Sequence, residues 1–426
     1  MKYLFLFTVI LSSTALADDW PQWRGPQRDG VWREDGIVKQ LPEGQIPITW
    51  SRPIAGGYCG PTVANGRVYV MDRALNPDRE RVWCFDAKDG KVNWKHAYDC
   101  GYASVKYPAG PRASVTIQDA HAWAIGSRGH IHCYEAETGT VVWQRDLETE
   151  LEIDMPIWGI AGSPLIVDEQ VILQVSGQGA CVVGLDKMTG MERWRALDDP
   201  ASYSAPTLIE QAGRKLVVVL TGARAVALDP VDGSVAWEHP FPYTPNRWVI
   251  AISTPVRHED RMIFTSADMG MLVLRLHSDK PAIEKLWWRK DQDDAGLNLL
   301  MCTPYTDGKA IYGANSTGVF RAVDYRTGDR LWKDVTATEQ IRFSNMHIVK
   351  HRDHEWIFNN QGELIICDLK PDGYHELSRA RLIKPTKRQQ RKGNGVTWSH
   401  PAFAYRHVFA RSDEEIVCAS LAADKP

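Results

Sequence analysis

Three arginines and three tryptophans stand out because their side chains do chemistry that the irregular stretches around them do not otherwise need. Arg112, Arg247 and Arg342 each offer a planar fork of donors to an anion, and Trp158, Trp248 and Trp398 each offer a flat apolar face to a sugar ring. Asp154 adds a carboxylate in a similar stretch, and Tyr203, Asn298 and His400 add neutral polar groups. Brought together, this set would hold an anionic or flat ligand. The alternative is that the arginines only pair with Asp154 and loop carbonyls, filling space without binding anything.

Other chemistries find little footing. DQDDAG (Asp291 to Gly296) begins like a calcium loop, but Ala295 stands where an oxygen ligand is needed and the twelfth position is Cys302. His130 and His132 alternate on one strand, as His351 and His354 nearly do, yet neither pair has a third metal ligand nearby. No G-x-S-x-G elbow, phosphate-binding glycine loop, H-E-x-x-H helix or haem-attaching C-x-x-C-H occurs.

What must position these residues is a repeat. CFDAKDGKVNW (Cys84 to Trp94), CYEAETGTVVW (Cys133 to Trp143), GLDKMTGMERW (Gly184 to Trp194), ALDPVDGSVAW (Ala227 to Trp237) and AVDYRTGDRLW (Ala322 to Trp332) share one plan, with worn copies ending at Trp288 and Leu377. Each reads as two strands joined by a tight hairpin, in which the acidic side chain accepts turn amides and Gly supplies positive φ. The Trp on the outer strand is expected to bury its ring against the next unit while its N–H reaches a backbone carbonyl. Upstream of most hairpins comes a small residue, Pro and an apolar strand, as in GSPLIV from Gly162 and STPVRH from Ser253. Together these give four strands per unit, the pattern of a propeller blade.

The fold class is therefore all-β: an eight-bladed β-propeller of four-stranded antiparallel blades. The last unit (Ser399 to Leu421) has only three strands, and ITWSRPI (Ile48 to Ile54) is an outer strand with nothing before it. The N-terminal strand is thus expected to pair with the C-terminal blade, removing exposed sheet edges. Loops running from an outer strand to the next inner strand would then converge at one channel mouth, carrying Arg112, Asp154, Trp158, Tyr203, Arg247, Trp248, Asn298, Arg342, Trp398 and His400.

Residues 1–17 read as a secretory signal, with Lys2, an apolar run and Ala15-Leu16-Ala17 before Asp18. Residues 18–45, rich in Trp, Pro, Gly and Arg, are expected to wrap over the outside of a propeller spanning 46–422. Export invites disulfides, but most of the eight cysteines fall within strands as small core fillers; a single bridge among Cys59, Cys100 and Cys302 is the one left open. With 50 basic against 53 acidic residues, nucleic acid is not an expected partner, and the basic run Lys384 to Lys392 reads as a solvated loop. No second stretch is long and apolar enough to span a bilayer, and a monomer is expected.

The phrase A-x-D-x-x-T-G-x-x-x-W, recurring from about Ile48 to Leu421, resembles that of the quinoprotein alcohol dehydrogenase-like propellers, the pyrroloquinoline quinone (PQQ) repeat family. WPQWRGPQRDG (Trp20 to Gly30), WGIAGSPL (Trp158 to Leu165), ALDDPASYSAP (Ala196 to Pro206) and RSDEEIVCASLA (Arg411 to Ala422) look like an exported bacterial group within it, often compared with the outer-membrane assembly propeller lipoprotein. The resemblance implies two functions. One is a binding or assembly scaffold in the cell envelope, with an envelope protein or a small-molecule or sugar ligand at the channel mouth. The other is a PQQ-dependent oxidoreductase acting on an alcohol or sugar, with PQQ held over Ca²⁺ between an adjacent Cys-Cys pair and a Trp, and an Asp as base. Trp158, Trp248 or Trp398 would supply the ring and Asp154 the carboxylate, but the chain has no Cys-Cys dipeptide.

Overall fold

The computed structural model describes residues 18–243, 250–290, 296–390, 393 and 395–423. The proposed signal (1–17), Arg247 and Trp248, residues 291–295 of the calcium-like stretch and part of the basic run lie outside the described residues. Eight antiparallel sheets follow one another around a ring, as the repeat requires. Blade 1 comprises Thr62–Ala64, Arg67–Leu75, Asp78–Asp86 and Val92–Asp99, from inner to outer strand. Blades 2 to 7 occupy 116–146, 165–196, 207–240, 256–289, 305–334 and 346–381. Blade 8 takes Ala402–Ala404, His407–Arg411 and Glu415–Ser420 from the C-terminus and Ile48–Pro53 from the N-terminus, with Trp50 opposite Cys418 and Arg52 opposite Ile416. The ring is latched by its two ends.

The hairpins behave as their residues dictate. Asp86 Oδ1 accepts from the amides of Lys88 (2.8 Å) and Asp89 (3.2 Å), and Asp186 and Asp324 do the same in their own turns. The worn copy differs: Asp368 binds His354 Nδ1 at 2.6 Å, and Gly373 lies outside the positive-φ region because the strands there join directly at Lys370 and Gly373.

The repeated Trp side chains reach across to the following blade, except Trp237, whose indole donates to Gln211 Oε1 of its own blade at 2.8 Å. Trp50, Trp94 and Trp143 donate to the carbonyls of Ala87 (2.9 Å), Ala136 (3.0 Å) and Lys187 (2.9 Å). Their rings lie on the turn glycine of that blade. At Gly139 (φ +74°) an added Cβ would stand 2.5 Å from the Trp94 ring, and Gly90, Gly190 and Gly233 meet Trp50, Trp143 and Trp194 likewise. The recurring spacing of the two residue types is thus one contact seen from both sides. In blade 5 the place is taken by Trp287, which donates to Tyr325 O and lies on Gly328; Trp288, which the repeat count selects, donates to Met269 O instead. Trp287 stands opposite Val273 beside the same bulge that Trp94 and Trp237 have opposite Cys84 and Ala227, so the insertion leaves the pairing unchanged and moves only the count.

Gly139→Ala is expected to destabilise by about 2 kcal/mol or more, because left-handed strain adds to displacement of the Trp94 ring. Gly66→Ala, at φ +73° with open space around it, carries only the strain, about 1 kcal/mol. Urea midpoints of the two variants measure the difference, and equal losses would contradict the Trp–Gly contact.

Residues 19–32 run inside the central channel rather than over the outer surface. Trp20 exchanges two backbone hydrogen bonds with Val63 of blade 1 while climbing, and Ile117 of blade 2 donates to Pro21 O. The chain reverses around Arg24 to Asp29, and Val31–Trp32 descends as a fifth, parallel strand beside Met346–His351 of blade 7. Rings favour this placement: Trp20 and Trp32 are 2% and 1% exposed, both packed on Phe403 of blade 8. Arg28 completes the insertion by donating to Pro164 O (2.8 Å) and Ser163 O (3.2 Å) of the connection into blade 3.

All eight cysteines are free and buried. Cys59 donates to Met71 O, and burial pushes the Cys84 and Cys418 thiols up to about 12, so they act as core fillers without reactivity. Among the described residues no helix is long and apolar enough to cross a membrane.

Candidate functional site

The connections from outer strand to next inner strand meet above the inserted hairpin and enclose a cavity of about 190 Å³. Every blade contributes to its wall. Tyr58 precedes blade 1, Tyr107 and Arg112 precede blade 2, Trp158 and Ser163 precede blade 3, and Tyr203 precedes blade 4. Ile250, Ile252 and Thr254 come from the connection into blade 5, Leu300 and Met301 from that into blade 6. Phe343 and Asn345 precede blade 7 and His347 lies on its inner strand, and Trp398 and His400 belong to the entry of blade 8. In ring order the aliphatic arc of blades 5 and 6 faces the aromatic arc of blades 1 and 2.

Trp23 forms the floor. Its indole donates to Thr254 Oγ1 at 2.9 Å, and its ring meets His400 edge-on at 4.6 Å. Trp23, His347 and His400 also line a second void of about 30 Å³ beneath, so this layer separates the mouth from the channel below.

Arg112 is the one formally charged residue among the described wall residues. It lies over the Tyr58 ring at 4.8 Å and donates to the carbonyls of Lys106 (2.9 Å), Tyr107 (2.7 Å) and Gly110 (3.1 Å) and to Ser127 Oγ (3.1 Å). Both histidines are neutral at physiological pH. Burial pushes His400 down to about 3, with His347 adding to the effect, and pushes His347 down to about 4. His400 Nε2 sits 2.6 Å from Ser114 Oγ, but this is no nucleophile and base: Ser114 lies 1% exposed behind the imidazole, and Nδ1 faces the Pro401 carbonyl rather than a carboxylate. Burial likewise raises Tyr58 and Tyr203 to about 12, leaving both phenols neutral.

Of the residues expected at the mouth, the structure brings together Arg112, Trp158, Tyr203, Trp398 and His400. Three expected members do not line the cavity. Asp154 is exposed in the connection before blade 3. Asn298 turns its amide to Ala267 O at 3.1 Å, and Arg342 folds over the Phe343 ring at 4.6 Å, so each is held by its own neighbourhood. Sequence reasoning did not place Trp23, the aliphatic arc, or Asn345 and His347. A positional signal was available for most of them, since they fall within a few residues of the start of each inner strand.

The profile of the family described as outer membrane protein assembly factor BamB matches residues 35–97 and 103–334. The chain belongs to this family of PQQ-like repeat propellers. In sequence it is 25% identical over 224 residues to the quinohemoprotein alcohol dehydrogenase ADH-IIG of Pseudomonas putida, a match taking in 49% of this chain but only 29% of that enzyme's length. In structure it is similar to BamB from Moraxella catarrhalis (TM-score 0.63, 15% identity, 88% of this chain and 99% of the other). It is equally similar to the quinohemoprotein alcohol dehydrogenase of Comamonas testosteroni (TM-score 0.65, 12% identity, 96% and 81%). These structural likenesses establish the propeller and nothing finer.

The enzyme-type relatives raise the question of PQQ and Ca²⁺, and the wall does not fit that pair. Ca²⁺ takes six to eight oxygen ligands, carboxylates foremost. The described wall residues include no Asp or Glu, and no group of three or more His, Cys, Asp and Glu converges elsewhere among the described residues. The nearby Arg112 has four of its N–H groups already bonded within the protein.

Proposed function

We propose that this chain is an exported binding propeller of the cell envelope, acting as a recognition or assembly scaffold through its channel mouth. The observation that carries the reading is the mouth cavity itself: seven aromatic side chains and an aliphatic arc around a blind-ended space, with no carboxylate among the described wall residues to serve as base or metal ligand. Export is supported by the N-terminal signal pattern and by family membership, and an envelope protein as partner by the same membership. The rival, a PQQ-dependent oxidoreductase acting on an alcohol or sugar, draws on the likeness to quinohemoprotein enzymes but finds neither an adjacent cysteine pair in the chain nor a suitable donor set at the mouth.

A photo-crosslinking residue placed at Tyr107, at the mouth, is expected to yield a discrete adduct in intact cells. The same residue at Glu137, whose hairpin turn lies on the opposite face, is expected to yield none. No adduct from position 107, or equal adducts from both, would count against recognition at the mouth.

A further inference from the structure

The reading of the mouth as a recognition site leaves open what it recognises, and the wall chemistry narrows this to one class. We propose that the cavity takes a neutral aromatic group of one or two fused rings with at most one polar group. The inference rests on that reading and goes beyond it in naming the ligand.

Size comes first. An apolar cavity of about 150 Å³ holds a benzene ring, and this one is about 190 Å³. Shape follows from the wall: Ile252 and Met301 on the arc of blades 5 and 6 face Tyr58 and Tyr107 on that of blades 1 and 2, and Tyr58 stacks with Trp398 of the blade 8 entry at 26° with ring centroids 6.2 Å apart. A flat ring entering between the two arcs meets aliphatic carbon on one side and π-faces on the other.

Charge excludes most alternatives. Among the described residues an anion finds no free fork of donors, because Arg112 is bonded to three carbonyls and a hydroxyl. Aromatic walls attract cations in general, but here the Arg112 guanidinium, stacked on Tyr58, already places a positive charge in the wall. A sugar would need partners for several hydroxyls, and the polar side chains of the wall are largely engaged: Thr254 with Trp23, Ser163 with the Ser114 amide, Tyr58 with Gln389 O, His347 with Trp398 O. Two further polar atoms of wall residues, Trp398 Nε1 and Asn345 Oδ1, have no partner among the described residues but are sealed from the cavity, so the accessible wall offers little to a ligand with several polar groups.

Such a ring can arrive as a free small molecule or as a side chain presented on a partner's loop. Calorimetric titration of the full-length secreted protein with p-cresol, indole, 4-hydroxybenzoate, tyramine and a blocked Gly-Trp-Gly peptide tests the class and separates the sources. The expected result is saturable one-site binding of p-cresol and indole, with the anion and the cation weaker by at least about tenfold. Tighter binding of the blocked peptide than of indole identifies the ring as a partner's side chain, and the reverse order identifies a free molecule. Met301→Trp fills the cavity and is expected to abolish binding; Ala161→Leu is a smaller filling variant on another part of the wall. Failure of both neutral rings to bind, equal binding across the charge series, or undiminished binding in a folded filling variant would overturn the proposal. Loss of probe binding with the Tyr107 cross-link intact would overturn this inference alone, whereas absence of that cross-link with probe binding intact would overturn only the scaffold reading.

Discussion

Trp32→Ala is expected to lower the free energy of unfolding by about 3–5 kcal/mol, the range for removing a fully buried large aromatic ring. The ring lies 1% exposed between Phe403 at 4.9 Å and Trp356 at 5.5 Å, and its indole donates to Glu34 at 2.8 Å. Truncation would leave a void at the centre of the ring of blades and strand the Glu34 carboxylate, which also accepts from the Arg406 amide. The effect should reach the mouth, because the same hairpin carries the Trp23 floor. Trp332→Ala makes the comparison sharp. Trp332 is a repeat tryptophan that remains partly exposed, beside the blade 7 hairpin, which lacks a positive-φ glycine, so its loss should be well below that of Trp32. Urea denaturation reads both, and a Trp32→Ala loss under about 1 kcal/mol would mean that residues 19–32 do not occupy the channel in solution.

Acid should destabilise the protein well before its carboxylates titrate. His132, His347 and His400 are buried, and burial holds them down to about 3, 4 and 3 against an ordinary value of 6.5. Between those values the unfolded chain binds protons that the folded chain refuses. Stability is therefore fully present above about pH 6.5 and falls as pH drops toward about 4, by up to about 1.4 kcal/mol per pH unit for each histidine. The surroundings reinforce the sign. His132 faces His96, His130, Tyr98 and Tyr134, while His400 and His347 face each other, with Arg24 acting on His347. His400→Gln and His132→Phe should each flatten the pH dependence of the denaturation midpoint by about one proton. Unchanged slopes in both variants would show that these imidazoles titrate normally and are not sealed in.

Much of this architecture can be read from the residues because repetition makes local chemistry visible. Asp, Gly and Trp at fixed offsets encode a turn, a close approach and the ring that fills it, and the three-stranded remainder at Ser399 to Leu421 calls for the strand at Ile48 to complete it. The mouth was legible where a residue is both chemically distinctive and held inward, as with Arg112, Trp158 and Trp398. It was not legible where long-range contacts decide the outcome. Trp23 reaches Thr254, 231 residues away, through a non-repeating segment whose aromatic density signals burial but not its location. Ile250, Ile252, Leu300 and Met301 look like ordinary core residues until the ring sets them opposite the aromatic arc. Asn298 and Arg342 carry suitable groups, but a carbonyl and a phenyl ring next door draw them away.

Under the proposed function this propeller recognises a ligand or partner at its mouth and does not run quinone chemistry there. Calorimetric titration of the purified protein with PQQ in the presence of Ca²⁺, followed by a dye-linked alcohol oxidation assay on the same sample, tests it most directly. The wall described above predicts no saturable uptake and no turnover. Stoichiometric PQQ binding that depends on Ca²⁺ and supports alcohol oxidation would contradict it.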